Sequence, residues 1–166
     1  PVEPLVLRAR AGECIKVKLT NRLPRVLDDV IGSSSLPMLV DKFNINQLRP
    51  SSHVGLHTQL VATKVHKEDG ANVGLNAKST VPPKSDTDLE YPSKTYRWYA
   101  GDVAVRSDGV LVASPIEFGA AGIMSSDPIK HSQKGLVGAL IIEPADATWT
   151  EDLGTATQAT ITQSLT

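Results

Sequence analysis

The side chains best suited to metal chemistry in this chain are its four histidines, His53, His57, His66 and His131. Imidazole is a good ligand for copper and other transition metals. His53 and His57 are four residues apart in Ser51-Ser52-His53-Val54-Gly55-Leu56-His57-Thr58. On a continuous strand both rings face the same way but stand roughly 13 Å apart, too far for one ion unless Gly55 folds the chain sharply. His131 follows Met124 by seven residues in a polar, glycine-flanked loop. A histidine there is more often hydrogen-bonded or solvated than a ligand. The single Cys14 excludes an internal disulfide and a cysteine-based zinc cluster. Glu13, Asp69 and Glu143 fall at turns or strand ends, where carboxylates usually cap or solubilise, and no acid/base pair stands out. There is no G-x-S-x-G elbow, H-E-x-x-H helix, EF-hand loop or P-loop. Gly119-Ala120-Ala121-Gly122 reads as small-residue packing, without the turn-to-helix context a nucleotide needs.

The elements that must position these residues read as strands. At 166 residues the chain suits one domain with a real core. Aromatic residues are few, so Val, Leu, Ile and Ala must supply most of that core. A net charge of -1, with both signs spread along the sequence, leaves no electrostatic footprint for nucleic acid or an anionic membrane. No run reaches the length of a membrane-spanning helix, and the first residues lack a signal-peptide plan. The expectation is a cytosolic protein or a mature segment whose signal has gone.

Leu5 to Arg10 is followed by the turn Ala11-Gly12-Glu13. The alternating run Cys14-Ile15-Lys16-Val17-Lys18-Leu19 then puts Ile15, Val17 and Leu19 on one face and Cys14 with the lysines on the other. Cys14 is expected to be an unreactive strand thiol. Residues 25–52 form a long connection, expected to be a surface excursion, with a substrate loop or subunit contact as other readings. Asp69-Gly70 marks a turn, and Lys84 to Lys94 reads as an exposed insertion. Thr95 to Tyr99 alternates so that Tyr96 and Trp98 point inward. Ala139-Leu140-Ile141-Ile142-Glu143 is a buried strand stopped by Pro144, and Gly135 and Gly138 before it allow close approach of another backbone, or a bulge. Trp149 is expected to cover one end of the barrel. Thr160-Ile161-Thr162 alternates like a strand with no room for a partner of its own.

Three of these stretches resemble cupredoxin domains of multicopper oxidases. They are Gly135-Leu136-Val137-Gly138-Ala139-Leu140, the opening pair of strands with Ala11-Gly12-Glu13 and Asn21-Arg22-Leu23, and Asp69-Gly70-Ala71-Asn72-Val73-Gly74 ahead of Val81-Pro82-Pro83 and Tyr96-Arg97-Trp98. The likeness runs from residue 4 to Trp149 and is nearest to large bacterial oxidases, including the manganese-oxidising type. With the spacing of turn signals it implies an all-β, Greek-key β-sandwich or barrel of cupredoxin type, with about seven or eight short strands. The domain is expected over residues 1–149, its first edge strand missing or supplied from outside. Residues 150–166 would be a linker or the start of a following domain.

The resemblance places Gly55 where the first histidine of a copper-binding His-x-His pair stands, and His57 where the second does. A further pair is replaced by Ile123-Met124-Ser125, and no cysteine flanked by histidine is present for a blue copper centre. Copper would therefore be bound mostly by other domains, with His57 or His131 at most lent to a shared site. The implied parent is an oxidoreductase that takes electrons singly from a substrate and reduces oxygen to water, and this segment is its scaffold rather than its catalyst. Its partners would be other cupredoxin domains or subunits of the same oxidase, without nucleic acid or membrane insertion, in the periplasm or outside the cell. A metal-free cupredoxin-like binding or assembly module, a periplasmic copper-binding protein using His53, His57, His66 or Met124, and an unrelated β-sandwich are the alternatives.

Overall fold

The computed structural model describes residues 3–27, 50–71, 77–128, 130–155 and 158–163, so most of the long connection after Leu27 lies outside the described residues. The strands are β1 (Leu5–Arg10), β2 (Cys14–Thr20), β3 (His57–Thr58), β4 (Ala62–Thr63), β5 (Ser93–Tyr99), β6 (Gly101–Val105), β7 (Leu111–Pro115), β8 (Gly119–Met124), β9 (Val137–Glu143), β10 (Thr148–Glu151) and β11 (Ala159–Thr162). Two one-turn helices, α1 (Val65–Glu68) and α2 (Lys130–Gln133), interrupt them. The chain is an all-β sandwich whose curled sheets make a half-barrel.

One sheet has the order β1-β9-β8-β3, with β1 parallel to β9 and the other pairs antiparallel. The facing sheet has the order β2-β5-β4, all antiparallel. Consecutive strands β1 and β2 thus lie in different sheets. Gly12 makes the passage possible with a φ of 85°, a conformation that an L side chain resists. Around it Ala11 donates its N–H to Glu143 at 2.8 Å, and Gly12 donates to Ala100 at 2.8 Å. The expected capping role of Glu13 holds, since its carboxylate accepts the Arg10 N–H at 2.9 Å.

The core follows the two-residue period of the strands. Leu7 stands beside Leu140, and Leu140 beside Ala121; Ala9 stands beside Ile142. Opposite them Ile15 pairs with Trp98 and Val17 with Tyr96. Tyr96 and Trp98 are 0 % and 2 % exposed and their rings lie 6.4 Å apart. Each buries on the order of 150–250 Å², or about 4–6 kcal/mol of transfer free energy, so these two rings dominate an otherwise aliphatic core. Cys14, Lys16 and Lys18 point to solvent as the alternation requires.

Gly138 shows the expected close approach: a Cβ there would lie 2.5 Å from the Leu5 carbonyl oxygen of β1. Gly135, with φ 80° and open space around it, serves instead as the turn between α2 and β9. No described strand pairs with the outer edge of β1. Of the expected insertion Lys84 to Lys94, the part up to Tyr91 is largely exposed, whereas Ser93 and Lys94 belong to β5 and pair with Thr20 and Leu19 of β2.

Three expectations need correction. Thr160-Ile161-Thr162 does have a partner within the chain, because β11 pairs antiparallel with β10, Trp149 opposite Ile161. Trp149, expected to cover one end of the barrel, is instead partly exposed in β10, with the Arg8 guanidinium stacked over its ring at 3.3 Å from the centroid. Glu143 is only 7 % exposed and forms an ion pair with Arg8. A strand-end carboxylate expected to cap or solubilise is part of an Arg8-centred contact between β1, β9 and β10.

Candidate functional site: His57 and its setting

His57 begins β3, the edge strand opposite β8. Thr58 pairs with Ile123 and is buried with it, so by the pleat His57 shares the other face with its cross-strand neighbour Met124. Gly55 brings the chain there by a backbone crossing. A Cβ on Gly55 would lie 1.8 Å from the Gly70 carbonyl oxygen, and one on Gly70 would lie 2.1 Å from the Leu56 carbonyl oxygen. Gly70 also has φ 78°. Only glycine fits either position, so the first histidine of a His-x-His pair has no place at residue 55 in this backbone.

The crossing lays Asp69 against His57. The imidazole Nδ1 is 2.9 Å from the Asp69 carbonyl oxygen and 3.3 Å from its carboxylate Oδ1. A carbonyl only accepts, so Nδ1 carries the proton and Nε2 of the neutral ring bears the lone pair. Metal-binding histidines are commonly oriented by such a bond from the second nitrogen. The side chain is partly exposed, at 28 %. Asp69 is held in turn by α1, just before it, where Glu68 accepts a hydrogen bond from Arg97 of β5 at 3.1 Å. The reading of Asp69 as a simple turn residue missed this contact.

His131 has a different setting. It is fully buried, with Nε2 2.5 Å from the Ser51 carbonyl oxygen and Nδ1 2.8 Å from Ser125 Oγ. The carbonyl requires the proton on Nε2, and Nδ1 of the neutral ring then accepts from the Ser125 hydroxyl. Both nitrogens are engaged with protein oxygens, leaving no lone pair for a metal. His131 is reached through α2, which Asp127 caps by accepting the Lys130 N–H at 3.0 Å on one oxygen and the Ser51 N–H at 3.0 Å on the other. Ser126 Oγ donates to the His53 carbonyl at 2.6 Å. The result is a polar clasp that ties residues 51–53 to residues 125–131. His53 lies inside it, its Nδ1 3.3 Å from Thr80 Oγ1. His66 stands apart on exposed α1. The four histidines therefore do not converge, and among the described residues no group of three His, Cys, Asp or Glu side chains is arranged to hold a metal.

No protein-family model and no curated protein matches this chain.

A second polar anchor ties the end of β2 to residues 52 and 81. Asn21, 1 % exposed at the end of β2, donates its amide to the Ser52 and Val81 carbonyls at 2.8 and 2.9 Å, and its Oδ1 accepts the Leu23 N–H at 2.9 Å. This explains an asparagine where the strand stops. Tyr96 donates its hydroxyl to the Ser79 carbonyl at 2.7 Å. Burial pushes the phenol up to about 12, the Asp69 charge adds to the shift, and a hydrogen bond with the Leu56 backbone opposes it. A raised folded-state value means that this group's stabilisation is complete below about pH 10, its unfolded value, and is lost as pH rises through about 12. Stability measured by urea unfolding is thus expected to fall by about 1–3 kcal/mol over that window. Tyr96→Phe should flatten the fall. An unchanged alkaline slope in the variant would assign it to other groups.

Proposed function

We propose that this chain is a cupredoxin-like scaffold domain of a multicopper oxidase, contributing at most one imidazole, that of His57, to a copper site completed by other domains or subunits. The observation that carries this reading is the orientation of His57. Its Nδ1 is tied to the Asp69 carbonyl, and no described residue hydrogen-bonds to its Nε2. The two-sheet β fold and the parallel pairing of the first strand with β9 are compatible with the resemblance. The described residues do not by themselves make a copper site, so no redox step is assigned to them. Where copper is bound, it would supply the one-electron chemistry. The role of this chain is to hold the imidazole rigidly, through the Gly55–Gly70 crossing and the Asp69 bond, and to shape the surface on which the partner rests. On this reading the parent protein is an oxidoreductase of the periplasm or cell exterior.

The test is copper per chain in the purified native assembly, by elemental analysis with paramagnetic resonance on the same sample. Several coppers with a blue-copper signal are expected, with His57→Ala lowering the content by about one copper. An assembly free of copper would refute the oxidase reading and favour a metal-free binding or assembly module. Copper retained at full stoichiometry in His57→Ala would remove His57 from the site.

A further inference from the structure

The ribbon β6–β7 stands over the outer face of the β2-β5-β4 sheet and encloses with it a groove of about 460 Å³. Val103 and Leu111 line it from the ribbon; Cys14, Lys16, Ala62 and Arg97 line it from the sheet. Val105 pairs with Leu111 and so shares the groove-facing side of the ribbon, where it is 69 % exposed; Leu111 is 68 % exposed. An isolated two-stranded ribbon is marginal in water, and no described residue covers the apolar face of this one.

The opposite wall is basic. Lys16, in the lining, lies directly across from Arg97, a like-charge pairing that destabilises a sheet, and Lys18 continues the same face of β2 two positions beyond the lining. Lys64 also lines the groove. The buried Glu68 carboxylate, paired with Arg97, is the acidic group in the lining, and no described residue forms an ion pair with Lys16, Lys18 or Lys64. The lysines of β2 recur every second residue, which is the period of an extended chain.

From this we infer that the groove docks an extended, acidic segment of a partner protein. Carboxylates at alternate positions meet Lys16 and Lys18, and the apolar residues between them cover Val103, Val105 and Leu111. Recognition of this kind joins apolar burial to charge complementarity, so it is selective for sign and sensitive to salt. The inference stands apart from copper.

Cys14 is the sole cysteine and is exposed in the groove, so it reports occupancy directly. The experiment follows the rate of Cys14 modification by a maleimide on the full chain, with a short peptide of alternating glutamate and valine or one of alternating lysine and valine. The acidic peptide is expected to slow labelling saturably, and Lys16→Glu combined with Lys18→Glu to weaken that protection about tenfold or more. These substitutions are on the surface, so an unchanged thermal midpoint shows that the fold is intact. Equal protection by both peptides, or none by either, would overturn the inference. Protection that grows with protein concentration alone would overturn it too, by identifying the occupant as a second copy of this chain.

Discussion

His131→Phe is expected to lower unfolding free energy by about 2–4 kcal/mol and, on the function proposed above, to leave the copper content of the native assembly unchanged. The ring is replaced at similar volume, so little cavity opens. The cost comes from two orphaned groups, the Ser51 carbonyl and the Ser125 hydroxyl, each buried polar group left without its partner costing about 1–3 kcal/mol. His131→Ala adds a cavity and should cost about 3–5 kcal/mol. Against a typical domain stability of about 5–15 kcal/mol, either loss moves the protein towards its unfolding threshold. Urea denaturation midpoints measure the effect. A stable His131→Phe protein that has lost copper would reverse the assignment and make His131 a ligand.

Gly55→Ala is expected to cost about 3 kcal/mol or more, and to loosen His57 at the same time. The new Cβ would sit 1.8 Å from the Gly70 oxygen and 2.7 Å from its carbonyl carbon, both backbone atoms that no rotamer change can move away. Two segments must therefore separate. Gly70→Ala should act similarly, with about 1–2 kcal/mol of its cost from the positive φ. Because both substitutions open the same crossing, the double variant should cost less than the sum. Denaturation gives the energies, and the His57 imidazole resonances report whether the ring has lost its fixed orientation. A cost below about 0.5 kcal/mol for Gly55→Ala, the range of ordinary surface changes, would show that the crossing is not tightly packed.

The polar clasp and the glycine crossing together show why the histidines were hard to rank from spacing. By sequence both are candidates for a shared site, and only His57 stands at a ligand position that the resemblance implies. Their environments separate them: His131 lies in a closed hydrogen-bond network, whereas His57 is braced on one side and has no hydrogen-bonding partner on the other among the described residues. The partner of His57 comes from 12 residues away and that of His131 from as far as 80. The partner of Glu143 is hidden in the sequence for the same reason, since Arg8 lies near the other end of the domain.

What the sequence determined by itself was whatever depends on neighbours in the chain. The alternation of Ile15, Val17 and Leu19 against Cys14, Lys16 and Lys18, the inward Tyr96 and Trp98, the turn at Gly12 and the close approach allowed at Gly138 were legible, because pleat and φ preference act over a few residues. The partner of Thr160-Ile161-Thr162, the buried pairing of Glu143, the crossing at Gly55 and the distinct roles of His57 and His131 were decided by tertiary structure alone. Strand periodicity states which way a side chain points, but a hydrogen bond or steric exclusion depends on what folding brings to meet it.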